Sequence, residues 1–189
     1  WKELNKRKDS YGGSVKKRST FATDIIKSIL TKVSESFIVG LRFSQWKQQN
    51  YEAKLAYSPS ELKEFLKPLK SSGIDFLHTS MRRFWEPEFE GSEDNLASWT
   101  RSISGLPTIS VGSVGLDKDF LETTLWDEDT LSSKPASIDK ALSDIEKGKY
   151  DLVAVGRALL ADPEWVIKMR EGRLEDIIPY TREAHKILR

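Results

Sequence analysis

Four short apolar runs, each followed by a segment with helical spacing, limit what this chain can fold into more than any other feature. Ser36-Phe-Ile-Val-Gly-Leu-Arg-Phe43 is rich in β-branched and aromatic residues and reads as a buried strand. Ile74–His78 follows Gly73 directly, Pro107–Val111 runs into Gly112, and Tyr150–Val155 runs into Gly156. These runs place strands near 37–43, 74–79, 107–111 and 151–155. Strands alternating with helices predict parallel strands joined by right-handed crossovers. Runs that are apolar nearly throughout predict cover on both faces of the sheet. Two architectures fit: an open doubly wound sheet, or part of a (β/α)8 barrel.

The helical segments carry their own signals. Phe21, Ile25, Ile29 and Val33 recur every four residues, with Ile26 and Leu30 alongside, and predict one buried helix face. Ser58-Pro59-Ser60-Glu61 is a capping box with proline in the first helical position, and Leu62, Phe65, Leu66 and Leu69 supply the stripe up to Gly73. Ile138, Ala141, Leu142 and Ile145 form a third stripe closed by Gly148. Asp162 caps a last helix with Pro163 in its first turn and Gly172 at its end. Residues 44–57 and 80–106 read as long loops, both after strands, where ligands bind in either architecture.

Length and composition narrow the class. The 189 residues can bury a core of one domain. Lys and Arg number 30 against 29 Asp and Glu, so nothing calls for nucleic acid or an acidic membrane. With no cysteine, disulfides, thiolate catalysis and Cys-ligated metals are excluded, and a cytoplasmic setting is favoured. No run reaches membrane-spanning length and no signal peptide is read. The chain opens on Trp1, which reads as a fragment or a processed product.

Gly156-Arg157, at the end of the last strand, is a candidate phosphate cradle. The glycine lets a ligand approach the backbone, the arginine offers a fork of donors, and the next helix presents unpaired N–H groups.

Several motifs together resemble the Old Yellow Enzyme family of FMN-dependent NADH:flavin oxidoreductases. Asn5-Lys-Arg7-Lys-Asp9-Ser-Tyr11-Gly12-Gly13-Ser14, with Arg18 and Phe21, resembles the family's N-x-R-x-D-x-Y-G-G-S signature. Val39–Ser44, Ile74–Ser80, Ile109–Ser113 and Leu152–Pro163 resemble its fifth to eighth barrel strands, and Arg42-Phe-Ser-Gln-Trp-Lys47 resembles 12-oxophytodienoate reductase-like members.

The resemblance implies that residues 1–189 are the C-terminal half of a TIM barrel, four parallel βα units, with strands 1–4 absent. It implies FMN as cofactor, NADH or NADPH as reductant and an enone-type small molecule as substrate. The family's substrate-binding histidine pair sits on strand four, so no catalytic residue is expected here. Arg42 is implied to lie against the flavin's pyrimidine edge; the residue alone reads equally well as half of an internal ion pair. Gly112 and Ser113, with Gly156 and Arg157, are implied to hold the FMN phosphate, where barrels often bind phosphate, after strands seven and eight. The family's usual Gly-Gly is Gly112-Ser113 here, and Asn-Arg-x-Arg-Phe is Lys17-Arg18-Ser-Thr20-Phe21.

Other residues have plainer readings. In Met81-Arg-Arg-Phe84-Trp85 the aromatics are candidates for a substrate pocket, or pack on their own loop. His78 reads as a hydrogen-bonded core residue, His185 as an exposed tail residue, and the two make no metal site. Lys6–Lys8 and Lys16–Arg18 read as a solvated basic opening, and Tyr11–Ser14 as a tight turn. Two further readings stand beside the enzyme. One is a non-catalytic half-barrel that binds a phosphate ligand and needs a partner half or self-association, because its edge strands are open. The other is a doubly wound nucleotide binder, which lacks G-x-G-x-x-G.

Overall fold

The computed structural model describes residues 1–47, 50, 52–118 and 132–187. The chain divides into two compact units. The first comprises Trp1–Met81, Glu86–Ser110 and Lys149–Asp151, and the second Arg82–Trp85, Val111–Gly148 and Leu152–Arg189. In chain order the elements are α1 (Val15–Leu30), β1 (Gly40–Ser44), α2 (Pro59–Ser71), β2 (Phe76–Ser80), α3 (Leu96–Ser104), β3 (Thr108–Val111), α4 (Asp139–Glu146), β4 (Leu152–Val153), α5 (Arg157–Ala161) and α6 (Trp165–Arg170). Two 3-10 turns follow, Leu174–Asp176 and Arg182–Lys186. The strands form one sheet in the order β1-β2-β3-β4, so neighbours in space are neighbours in sequence, as successive βα units require.

In the first unit β1 and β2 are parallel, with Gly40 opposite Phe76, Arg42 opposite His78 and Ser44 opposite Ser80. A side chain at position 40 would require the Phe76 ring to move aside. A Cβ there would come within 2.3 Å of the Phe76 ring, which covers the bare backbone.

Two aspartates set where strands begin. The Val39 N–H donates to Asp75 Oδ2 (2.7 Å) while the Asp75 N–H donates to the Val39 carbonyl (2.8 Å). Thr108 and Asp151 make the same reciprocal pair at 2.8 and 2.9 Å. The first clasp uses the polar groups of Val39 just before β1 starts. The sequence reading began this strand at Ser36; Phe37 and Ile38 instead lie outside it and are exposed.

Helix α2 forms as its sequence predicts. The Ser58 hydroxyl accepts from the Glu61 N–H (3.2 Å), Pro59 opens the first turn, and Leu62, Phe65, Leu66 and Leu69 are all buried. The Glu61 carboxylate reaches one residue beyond the cap, accepting from the Tyr57 N–H at 2.8 Å. These side chains join Ile26, Val39, Phe43, Ile74, Leu77, Phe89 and Leu96 in the core of the first unit.

Four further sequence expectations need correction. Helix α1 buries Val15, Ser19, Thr23 and Ile26, while Phe21, Ile25 and Ile29 face outward. The hydroxyls of Ser19 and Thr23 donate to the carbonyls of Lys16 and Thr20, so these polar residues enter the core already satisfied. Residues 96–104, read as loop, are helix α3, capped by the Asn95 side chain on the Ser98 N–H and ended by Gly105 in the left-handed region. In α4, Leu142 is exposed, and Ala141 and Asp144 take the buried positions. The strand read over 151–155 is two residues long, and Leu152 is exposed.

No helix among the described residues is long and apolar enough to cross a membrane.

Candidate functional site

In the second unit, β3 leads into Gly112-Ser113. Gly112 is buried, and its carbonyl accepts from the Phe84 N–H at 3.0 Å. Ser113 is the only non-glycine among the described residues with positive φ, at 51°. Its hydroxyl donates to the Arg82 carbonyl at 2.8 Å and accepts from Arg157 Nη2 at 3.1 Å. The same Nη2 donates to the Lys118 carbonyl at 3.1 Å, and the guanidinium lies 5.5 Å over the Tyr180 ring. Two predicted cradle residues 44 positions apart, Ser113 and Arg157, therefore meet directly.

Gly156 immediately precedes α5. Among the described residues nothing stands within 4 Å of where its Cβ would be, which leaves its main chain open to a ligand. The helix beginning at Arg157 is five residues long, so it adds less dipole than the sequence suggested.

Tyr180 is held by its backbone, which exchanges hydrogen bonds with Ser133 at 2.9 and 3.0 Å. Ser133 Oγ donates to Asp117 Oδ1 (2.7 Å) and accepts from the Lys118 N–H (3.1 Å). The phenol also meets His185 Nε2, and burial raises its pKa despite the opposing charges of Arg157 and Arg182.

Asp162 is not the cap that the sequence predicts: α6 begins at Trp165 with Glu164 in the cap position, Pro163 lies before it, and Asp162 ends α5 instead. Its side chain is 1% exposed and accepts from Lys168 Nζ at 2.8 Å and from the backbone N–H groups of Ile178 (2.9 Å) and Glu164 (3.1 Å). It ties α5 and α6 to the segment that carries Tyr180. Burial pushes its carboxyl up, but the hydrogen bonds from Lys168 and the two backbone N–H groups outweigh that and hold it below the ordinary value. Gly115 packs under α6: a Cβ there would come within 2.6 Å of the Trp165 ring, and its φ is +73°.

The predicted aromatics differ from each other. Phe84 is buried and meets Trp85 edge-on at 5.2 Å, whereas Trp85 keeps part of its surface open.

Arg42 lies in the first unit, mid-strand in β1 rather than at a strand exit. It is exposed and donates to Ser80 Oγ at 3.1 Å. No carboxylate among the described residues pairs with it. His78, beside it in register, does not show the expected hydrogen bond: its Nε2 is buried with no partner among the described residues. Burial, and then the Arg42 charge, lower its pKa and keep the ring neutral. Gln45 exchanges two hydrogen bonds with the Ala56 backbone (2.7 and 2.9 Å), pinning the loop after β1. Among the described residues no group of acidic or histidine side chains could hold a metal ion.

Consecutive βα units with a polar pair at the exits of the last two strands define part of a (β/α)8 barrel. A solved structure of an Old Yellow Enzyme homologue from Zymomonas mobilis superposes with a TM-score of 0.65 at 16% identity, over 95% of this chain and 43% of that one. A model of the NADH:flavin oxidoreductase / NADH oxidase family matches residues 2–133, and the chain belongs to that family. An NADH oxidase of Thermoanaerobacter brockii is 32% identical over 181 residues, and a bilirubin reductase of Mediterraneibacter gnavus 26% over 181. These alignments cover 92% and 89% of this chain, which spans about a quarter of the length of either relative.

Proposed function

We propose that this chain supplies the phosphate-holding half of an FMN-dependent oxidoreductase of the ene-reductase type. The observation that carries the reading is the meeting of Ser113 and Arg157 after β3 and β4, beside a glycine open to a ligand. A guanidinium and main-chain amides suit a dianionic phosphate, and the donor set fits the FMN head group. Gly112, Ser113, Gly156 and Arg157 would hold that phosphate.

Bound FMN would supply hydride chemistry, taking a hydride from NADH or NADPH and returning it to an α,β-unsaturated carbonyl compound. Arg42, a cation with no carboxylate partner among the described residues, is suited to stabilise negative charge at the flavin's pyrimidine edge. Trp85 is the better placed of the two aromatics to meet a substrate, since Phe84 is buried. The groups that polarise the substrate carbonyl and protonate its α-carbon are proposed to lie outside these 189 residues, in a first half that closes the barrel. A cytoplasmic setting agrees with the cysteine-free composition.

The test is anaerobic. The chain loaded with FMN is mixed with NADH and an enone, alone and within a protein completed by the first four βα units. Flavin absorbance for the chain, with enone turnover only in the completed protein, is expected. Enone turnover by the chain alone, or a completed protein that never takes up flavin, would overturn the proposal.

A further inference from the structure

Ser113 combines two features that rarely coincide. Its backbone has φ 51°, a region that glycine enters freely and that costs other residues conformational energy. Glycine would relieve that cost. What glycine would lose is the hydroxyl, and that hydroxyl is placed between two fixed groups: it donates to the Arg82 carbonyl at 2.8 Å, so its proton is used, and its lone pair faces Arg157 Nη2 at 3.1 Å. The Arg82 carbonyl thus sets the direction in which the serine oxygen accepts. The Lys118 carbonyl takes the same Nη2 from a second side, and the Tyr180 ring supports the guanidinium.

We infer that Ser113 is a positioning residue: its side chain holds the Arg157 guanidinium in place ahead of ligand binding, and this offsets the cost of its left-handed backbone. The inference deepens the phosphate reading given above and rests on it only for the identity of the ligand. An arginine has several rotatable bonds, and one already fixed loses less freedom when it meets a phosphate. The serine acts through Arg157, so its effect falls on affinity through the arginine's order.

The experiment uses Ser113→Gly and Ser113→Ala with two measurements. The first is nitrogen-15 NMR of the Arg157 guanidinium in the ligand-free chain, assigned through the signal missing in Arg157→Ala. Restricted rotation is expected in the parent chain, and rapid averaging in both variants with the backbone amide spectrum otherwise kept. The second is FMN titration beside thermal unfolding. Glycine relieves the backbone and is expected to leave Tm unchanged or higher, whereas alanine keeps the strain without the hydroxyl and lowers it. Both are expected to weaken FMN by about tenfold, so affinity falls whichever way stability moves. A guanidinium as restricted in Ser113→Gly as in the parent overturns the inference, as does an FMN affinity that simply follows Tm. If the parent chain takes up no FMN, the phosphate reading fails, while the guanidinium signal still decides the role of Ser113.

Discussion

Replacing Arg157 with alanine is expected to weaken FMN binding by about 100-fold, an effect of ~3 kcal/mol, while leaving Tm within a few degrees of the parent. The size follows from removing a charged, two-pronged donor from a dianion in a partly desolvated pocket. The stability change is smaller because the bonds lost, to Ser113 Oγ and the Lys118 carbonyl, join groups that water can reach once the side chain is gone. Fluorescence titration of FMN against parent and variant measures the first quantity, and calorimetry the second. In the completed enzyme the same change is expected to alter flavin affinity far more than the choice of enone. A variant that binds FMN as tightly as the parent would remove Arg157 from the site.

The second large effect is on stability. Asp162→Ala is expected to lower Tm by roughly 10 °C, because it leaves the buried Lys168 ammonium without that carboxylate and strands the N–H of Ile178. The pair also sets a pH window. The Asp162 carboxyl is held below its ordinary 3.8, so its contribution is complete above 3.8 and fades as the pH falls through the lower folded value. Lys168 is raised above its ordinary 10.5, chiefly by its bond to Asp162, so its contribution is complete below 10.5 and fades as the pH rises through the higher folded value. Tm measured against pH is therefore expected to hold a plateau between these limits in the parent. The fall on the acid side should be shallower in Asp162→Asn, whose side chain has no proton to take up there. An acid limb equally steep in both proteins would show that other carboxylates carry it.

How far the sequence alone reaches is clear from particular elements. Helix α2 was legible almost residue by residue, because its cap, its proline and its stripe are local signals that agree. Helix α1 was legible as a helix, but its buried side was not. Hydrophobicity favours Phe21, Ile25 and Ile29, whereas Ser19 and Thr23 are small and satisfy their own hydroxyls, which lets them pack inward. Helix α3 reads as loop although Asn95 and Gly105 mark its ends. Its serines, threonine and tryptophan have only middling helix propensity, and three buried hydroxyl residues, Ser98, Thr100 and Ser104, break the apolar stripe.

At the site, the family resemblance and the place where barrels bind phosphates both point to the turns that carry Ser113 and Arg157, and these two side chains do meet. The supports of Arg157 are not legible in the sequence, since the Lys118 carbonyl and the Tyr180 ring reach it only through the fold. The sequence reads Asp162 as the cap of the last helix, but α6 begins at Trp165 behind Glu164, and the buried bonds of Asp162 to Lys168 and Ile178 depend on the return of the chain. Asp75 and Asp151 look like ordinary strand-entry polar residues until their carboxylates are seen closing onto Val39 and Thr108.

The central claim is that the second unit grips a phosphate, and comparing FMN with riboflavin tests it most directly, since the two differ only by that group. Titrating both into the chain and following flavin fluorescence, we expect FMN to bind at least 100-fold more tightly, with the preference largely lost in Arg157→Ala. Equal affinity for the two flavins, or a preference that survives the loss of Arg157, would contradict the account.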